Sequence, residues 1–287
     1  MEAGGGNGIL NAVYTAKYGN IGWTIVEPSR VHMADGCRAE YIYEFWENSL
    51  DTVLHSVRYD TLVHSHMMEH QYDLDKFMLH NRRILKEGQR MVFSVPNIRE
   101  WVRRKYSNAL NFEHTYLISD EYVELLLKNY GFRVIEKRFF REDHSIFYAV
   151  EKVNMPVMET GISVNAREWY ETNKSLLMDY IRYFKETVRQ INYRLAERKG
   201  KVYLFGAHIF SQMLISIGLD VSRIACILDN DLYKQGKRLY GTSFYVSSPV
   251  LLKDVEKPVV ILKAGAYTDE IKNDILTNIN SKTEFWT

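Results

Sequence analysis

Cysteine is scarce in this chain: there are two among 287 residues, Cys37 and Cys226, and no C-x-x-C pair. That excludes a disulfide framework and fits a reducing, cytoplasmic setting. Long apolar runs are missing as well. None approaches the roughly 18 residues that cross a bilayer, and no charged-then-apolar leader opens the chain, so neither a membrane span nor a secretory signal is expected. Neither sign of charge is in excess, with 37 Lys and Arg against 36 Asp and Glu. No global field therefore draws the chain to nucleic acid or to an anionic membrane. The densest basic run, Arg103-Arg104-Lys105, reads as a solvated face. Tandem repeats and low-complexity tracts are lacking too.

What is present is an alternation of short apolar runs and helical patterns. Hydrophobic residues at 46% suffice for sizeable cores, and the length suits two domains. Residues 9–14 read as a helix and 23–26 as a strand that ends at Glu27-Pro28; residues 40–43 are a third-strand candidate. Residues 61–64 form the next strand and 73–85 a helix, which Gly88 breaks; 90–95 is a strand stopped by Pro96. Ser119 is a helix N-cap with Asp120 and Glu121 in the first turn, and Gly131 closes that helix. Residues 132–140 and 145–152 have no helix between them, so they should pair as an antiparallel hairpin.

This order predicts an α/β fold with a parallel sheet and an antiparallel terminal hairpin. After a low-pattern stretch, Leu177, Ile181, Phe184, Val188, Ile191 and Leu195 set one apolar stripe on a long helix. A second, smaller Rossmann-like α/β unit follows, with strands over 201–205, 224–228 and 258–262. The expected division is a first domain over 1–153, a linker over 154–166, and the long helix with the second unit over 167–287.

The run His64-Ser65-His66-Met67-Met68-Glu69-His70 follows a strand. His66, Glu69 and His70 spell H-x-x-E-H, the order of one class of zinc hydrolase. On a helix its two histidines fall one turn apart and can share a metal. No third ligand with zinc spacing is evident along the chain, so the sequence assigns no metal.

Glu2-x-Gly4-x-Gly6-x-Gly8 is the most informative stretch. Several glycines between a strand and a helix let the backbone approach a ligand closely. The dinucleotide fingerprint G-x-G-x-x-G, counted from Gly4, needs glycine where Ile9 stands. Glu27 lies nineteen residues past Gly8 at the end of the next strand, where an acid can accept hydrogen bonds from ribose hydroxyls. These residues resemble motif I of the class I S-adenosylmethionine-dependent methyltransferases, acidic-x-Gly-x-Gly-x-Gly, and the resemblance runs over about residues 2–152. It implies S-adenosylmethionine as cofactor, bordered by Glu2, Gly4, Gly6, Asn7, Gly8, Glu27, Pro28, Phe45 and His66. In that fold the first strand is central and carries the glycine loop. Here the chain opens on the loop itself, so that strand is expected to be missing, with the record truncated upstream or the site compromised.

Phe112-Glu113-His114, Asp143-His144-Ser145 and the second α/β unit resemble sugar C-methyltransferases acting on nucleotide-linked deoxysugars. Glu113 and His114 match that family's Asp-Glu-His run, while the preceding aspartate, an upstream tyrosine and a cysteine-rich zinc module have no counterpart. The resemblance implies His114, Glu113 and His144 as catalytic candidates and a nucleotide sugar as the small-molecule partner of a monomer or homodimer. An O-methyltransferase on another small metabolite, or a non-catalytic binding protein of the same fold, stays open.

Overall fold

The computed structural model describes residues 1–154, 165–263 and 267–286. The chain divides into two compact units: Met1–Trp101 with Phe112–Asn173, and Val102–Asn111 with Lys174–Thr287. The expected boundary near residue 153 is therefore not a single cut. The start of the long helix goes with the first unit, and residues 102–111 go with the second. Most of the expected linker over 154–166 lies outside the described residues.

The first unit is built on β1 (Glu2–Ala3), α1 (Ile9–Tyr18), β2 (Thr24–Val26), β3 (Glu40–Ile42), α2 (Leu50–Ser56), β4 (Thr61–Ser65), α3 (Leu74–Ile84), β5 (Arg90–Pro96), α4 (Ile98–Arg103), α5 (Asp120–Asn129), β6 (Phe132–Phe140) and β7 (Ser145–Lys152). Its sheet runs in the order β3-β2-β1-β4-β5-β7-β6. The pairs from β3 through β5 are parallel, while β7 runs antiparallel to both β5 and β6. The first strand, expected to be missing, is present as the two residues of β1 and sits centrally between β2 and β4. Met1 extends it: its ammonium donates to the Thr61 carbonyl, and its carbonyl accepts from Val63 N–H. Short as it is, this strand satisfies backbone groups that its neighbours would otherwise leave buried and unpaired.

The strand registers bring the core of this unit together on one face of the sheet. Ala3, Val26, Leu62, Met91, Phe93 and Val150 are buried together with Met78 and Ile84 of α3 and Val123 and Leu127 of α5. Helix α3 starts where Asp73 accepts a hydrogen bond from Lys76 N–H at 3.0 Å, an N-cap that satisfies an otherwise orphaned donor. Ser119 occupies the N-cap position of α5 but makes no such bond; its hydroxyl accepts instead from Asn173 Nδ2 at 3.1 Å.

The second unit takes the long helix α6 (Ala166–Glu197) from Lys174 onward, then β8 (Val202–Phe205), α7 (Ile209–Ile217), β9 (Ile224–Leu228), β10 (Val246–Ser247), β11 (Val259–Ile261), α8 (Thr268–Asp274) and β12 (Glu284–Trp286). The sheet order is β10-β9-β8-β11-β12, with all pairs parallel. The buried face of α6 is Tyr180, Phe184, Val188, Ile191 and Leu195. Tyr180 replaces Ile181 on the expected stripe because its hydroxyl finds the Tyr106 carbonyl at 2.8 Å.

Candidate functional site

In an open α/β sheet, ligands sit outside the carboxyl ends of the strands, where the strand order reverses. In the first unit that point lies between β1 and β4. The glycine loop leaves β1 there, Glu27 ends β2 beside it, and the run from His66 leaves β4.

Gly4, Gly6 and Gly8 have φ of 64°, 52° and 77°, the left-handed region that glycine adopts at no steric cost. The loop is held at both ends. Gly4 N–H donates to the Val26 carbonyl at 2.9 Å, and Gly6 N–H donates to Glu27 Oε2 at 3.1 Å. The other carboxylate oxygen of Glu27 accepts from Ser29 N–H at 2.9 Å. The Asn7 carbonyl accepts from Ala34 N–H, which brings the segment after β2 against the loop.

Glu2 lies beneath the loop. It is buried, and its Oε2 accepts from Trp23 Nε1 at 2.9 Å; burial raises its pKa. Pro28 is half-buried and Phe45 is 59% exposed.

Across the switch point the H-x-x-E-H run forms no long helix. His66 takes a left-handed φ of 49°, and Met68–His70 is a single 3-10 turn. The two histidines therefore do not stack one turn apart. His66 Nδ1 lies 3.0 Å from Glu69 Oε1, and its Nε2 lies 2.9 Å from Ser145 Oγ. Ser145 Oγ is also 2.6 Å from His144 Nδ1. Antiparallel pairing of Pro96 with Ser145 delivers the start of β7 to the carboxyl end of β5. Two segments far apart in sequence thus share one hydrogen-bonded chain, Glu69–His66–Ser145–His144. Such a chain can orient an imidazole and move a proton. The turn before Ser145 is held by Asn97 Nδ2 and Trp101 Nε1, which donate to the carbonyls of Glu142 and Asp143.

His114 lies elsewhere, beside His70. Their ring centroids are 5.0 Å apart at 71°. His70 Nδ1 donates to the Glu113 carbonyl at 2.8 Å, and Thr115 N–H donates to the Glu69 carbonyl at 2.9 Å. The Glu113 side chain is exposed, so the contact this residue makes with His70 is through its backbone. The part that Ser145 takes in this chain of groups depends on strand register, which no local pattern reveals.

The second unit repeats the strand-loop-acid device. Gly206 N–H donates to the Leu228 carbonyl, and Ala207 N–H donates to Asp229 Oδ2 at 2.7 Å. Asp229 also meets Lys234 Nζ at 3.3 Å, so its charge is already paired.

A search of curated proteins finds no match. Among solved structures, the chain is similar to an S-adenosylmethionine-dependent methyltransferase from Archaeoglobus fulgidus, at 16% identity and a TM-score of 0.43, covering 53% of this chain and 84% of that one. It is similar to magnesium protoporphyrin IX methyltransferase from Synechocystis PCC 6803 with bound SAM, at 13% identity and a TM-score of 0.36, covering 53% and 68%. A third is a methyltransferase structure from Listeria monocytogenes, at 12% identity and a TM-score of 0.38, covering 53% and 89%. Superpositions this loose transfer nothing to the present chain. A family model does match, over the stretch that holds the glycine loop, Glu27 and His66 to His70: residues 1–137, a little under half of the chain, carry the sequence pattern of a methyltransferase domain.

Proposed function

We propose that the chain transfers a methyl group from S-adenosylmethionine to carbon of a nucleotide-linked sugar or related glycan precursor. One observation carries the reading: a left-handed glycine loop at the switch point faces a carboxylate at the end of the neighbouring strand. The cradle fits a ribose-bearing donor. Among the described residues, nothing lies within 4 Å of where a Cβ on Gly6 would stand, and each Glu27 oxygen keeps a lone pair beyond the N–H it holds. Gly4, Gly6, Asn7 and Gly8 border the donor's tail, Glu27 its ribose, and Pro28, Phe45 and His66 the remaining sides, while Glu2 steadies the loop from below.

When bound, the donor supplies an electrophilic methyl group and departs as a thioether. The chain's own residues align the acceptor, exclude water and take a proton from it. The His66–Ser145–His144 chain suits that last task, with Glu69 fixing the orientation of His66. His114 and Glu113, on the segment tied to His70, frame the acceptor side. Methylation of carbon beside a keto group needs both a base and a group that stabilises the enolate.

Calorimetric titration of the full chain tests the donor. A single micromolar site for S-adenosylmethionine is expected, and Glu27→Ala should weaken it at least about tenfold, or about 1.4 kcal/mol. Absence of binding at millimolar donor overturns the reading. Incubation with nucleotide sugars and isotope-labelled donor then locates the methyl group by NMR. Label bonded to ring carbon is expected; label on oxygen would move the reading to O-methylation.

A further inference from the structure

Two neighbours in the chain, Glu69 and His70, meet the distant His114 beside the exit of β4. One carboxylate oxygen of Glu69 and one ring nitrogen each of His70 and His114 lie within 4.8 Å of one another. We propose that these side chains form a binding site for a divalent transition-metal cation of the zinc type.

The carboxylate is the first support. Glu69 is 1% exposed, and its Oε2 has no hydrogen-bond partner among the described residues, while Oε1 faces His66. A buried carboxylate oxygen in that state is costly, and a cation removes the cost. The imidazoles are the second. His70 donates its Nδ1 proton to the Glu113 carbonyl at 2.8 Å, which leaves the Nε2 lone pair for a metal. Ligating histidines are commonly oriented by this kind of outer hydrogen bond. The frame is the third. Thr115 N–H holds the Glu69 carbonyl and the Thr115 hydroxyl holds the Gln71 carbonyl, so the two segments are laced together without any ion.

Two imidazoles and one carboxylate, with further positions open, form a donor set for zinc or iron(II). Magnesium and calcium favour oxygen ligands. A tetrahedral centre with zinc bonds near 2.0–2.1 Å sets its ligand atoms about 3.4 Å apart, so loading draws the three groups inward. The His70 side chain, 35% exposed, has the freedom to follow. The H-x-x-E-H order is thus used only in part: His66 turns to Ser145, and His114 takes its place.

Metal uptake is read without any methyl donor, so its outcome and that of the proposed methyl transfer are independent. The full chain, stripped with chelator and dialysed, is titrated with zinc sulfate. Uptake of one zinc per chain is expected, and His70→Ala and His114→Ala should each weaken it by more than about a hundredfold, while His55→Ala on the exposed surface leaves it unchanged. Uptake below one equivalent by folded protein, or uptake that survives the double His70→Ala/His114→Ala variant, overturns the site. Should those variants fail to fold, X-ray absorption on the zinc-loaded natural chain decides: two imidazoles and oxygen support the site, and sulfur scattering or fewer imidazoles refutes it.

Discussion

A Cβ on Gly8 would stand 2.4 Å from Cys37 Sγ and 2.6 Å from the Tyr41 hydroxyl, which itself donates to the Gly6 carbonyl. At Gly19, with φ of 87°, a Cβ would have nothing within 4 Å among the described residues. The two positions therefore separate backbone strain from crowding. Gly19→Ala should cost about 1–3 kcal/mol from its backbone alone, because φ of 87° with ψ of 172° is a region that essentially only glycine occupies. Gly8→Ala adds about 1–3 kcal/mol of overpacking and presses Cys37 and Tyr41 away from the loop. Urea denaturation of both variants checks this; equal midpoints would mean that the loop yields freely. His64 is the other residue whose surroundings dictate its state. It is wholly buried, stacked on Phe93 at 4.9 Å and met edge-on by Phe77, and neither ring nitrogen has a hydrogen-bond partner among the described residues. Desolvation pushes its pKa down to about 3, so it stays neutral in the folded chain.

At the scale of elements, most segments were legible, down to the three-residue strands β2 and β3, and the two-residue strands were not. The hairpin strands β6 and β7 match the predicted spans because the turn residues between them, with no helical pattern there, are a local signal. Helices α3 and α6 were equally readable, one from the glycine that breaks it and one from its stripe. The stripe permits a direct test. Phe184 is fully buried and Tyr193, on the same helix, is 67% exposed. Phe184→Ala should cost about 3–5 kcal/mol, against almost nothing for Tyr193→Ala; the two urea midpoints give the contrast. Strands β1 and β10 have two residues each and β12 has three, too few for any period to emerge, and their neighbours in the sheet define them. The glycine loop and Glu27 could be read because both lie on adjoining segments. The approach of His114 to Glu69 and of Ser145 to His66 could not, since each depends on how distant segments register.

For the whole molecule, buried histidines contribute to the response to acid; burial lowers His64, His80 and His208 alike. His64 titrates near 3 and His80 near 4 when folded, both held down by burial first, against about 6.5 in an unfolded chain. Between those values the unfolded state binds more protons, so stability is fully present above about pH 6.5 and falls as the pH drops through that window. The melting temperature should decline steadily from pH 7 to pH 4, and His64→Phe, which keeps the ring and discards the titrating nitrogens, should flatten the curve. A variant as acid-sensitive as the natural chain would assign the effect to other groups. Differential scanning calorimetry across that range measures it.

The Glu27 carboxylate is engaged before any ligand arrives, one oxygen holding Gly6 and the other Ser29. The conformational freedom of both segments is thus given up during folding. In the proposed role, a ribose diol would meet acceptors already in place, and its hydrogen bonds would translate into residence time instead of being consumed in ordering the receptor.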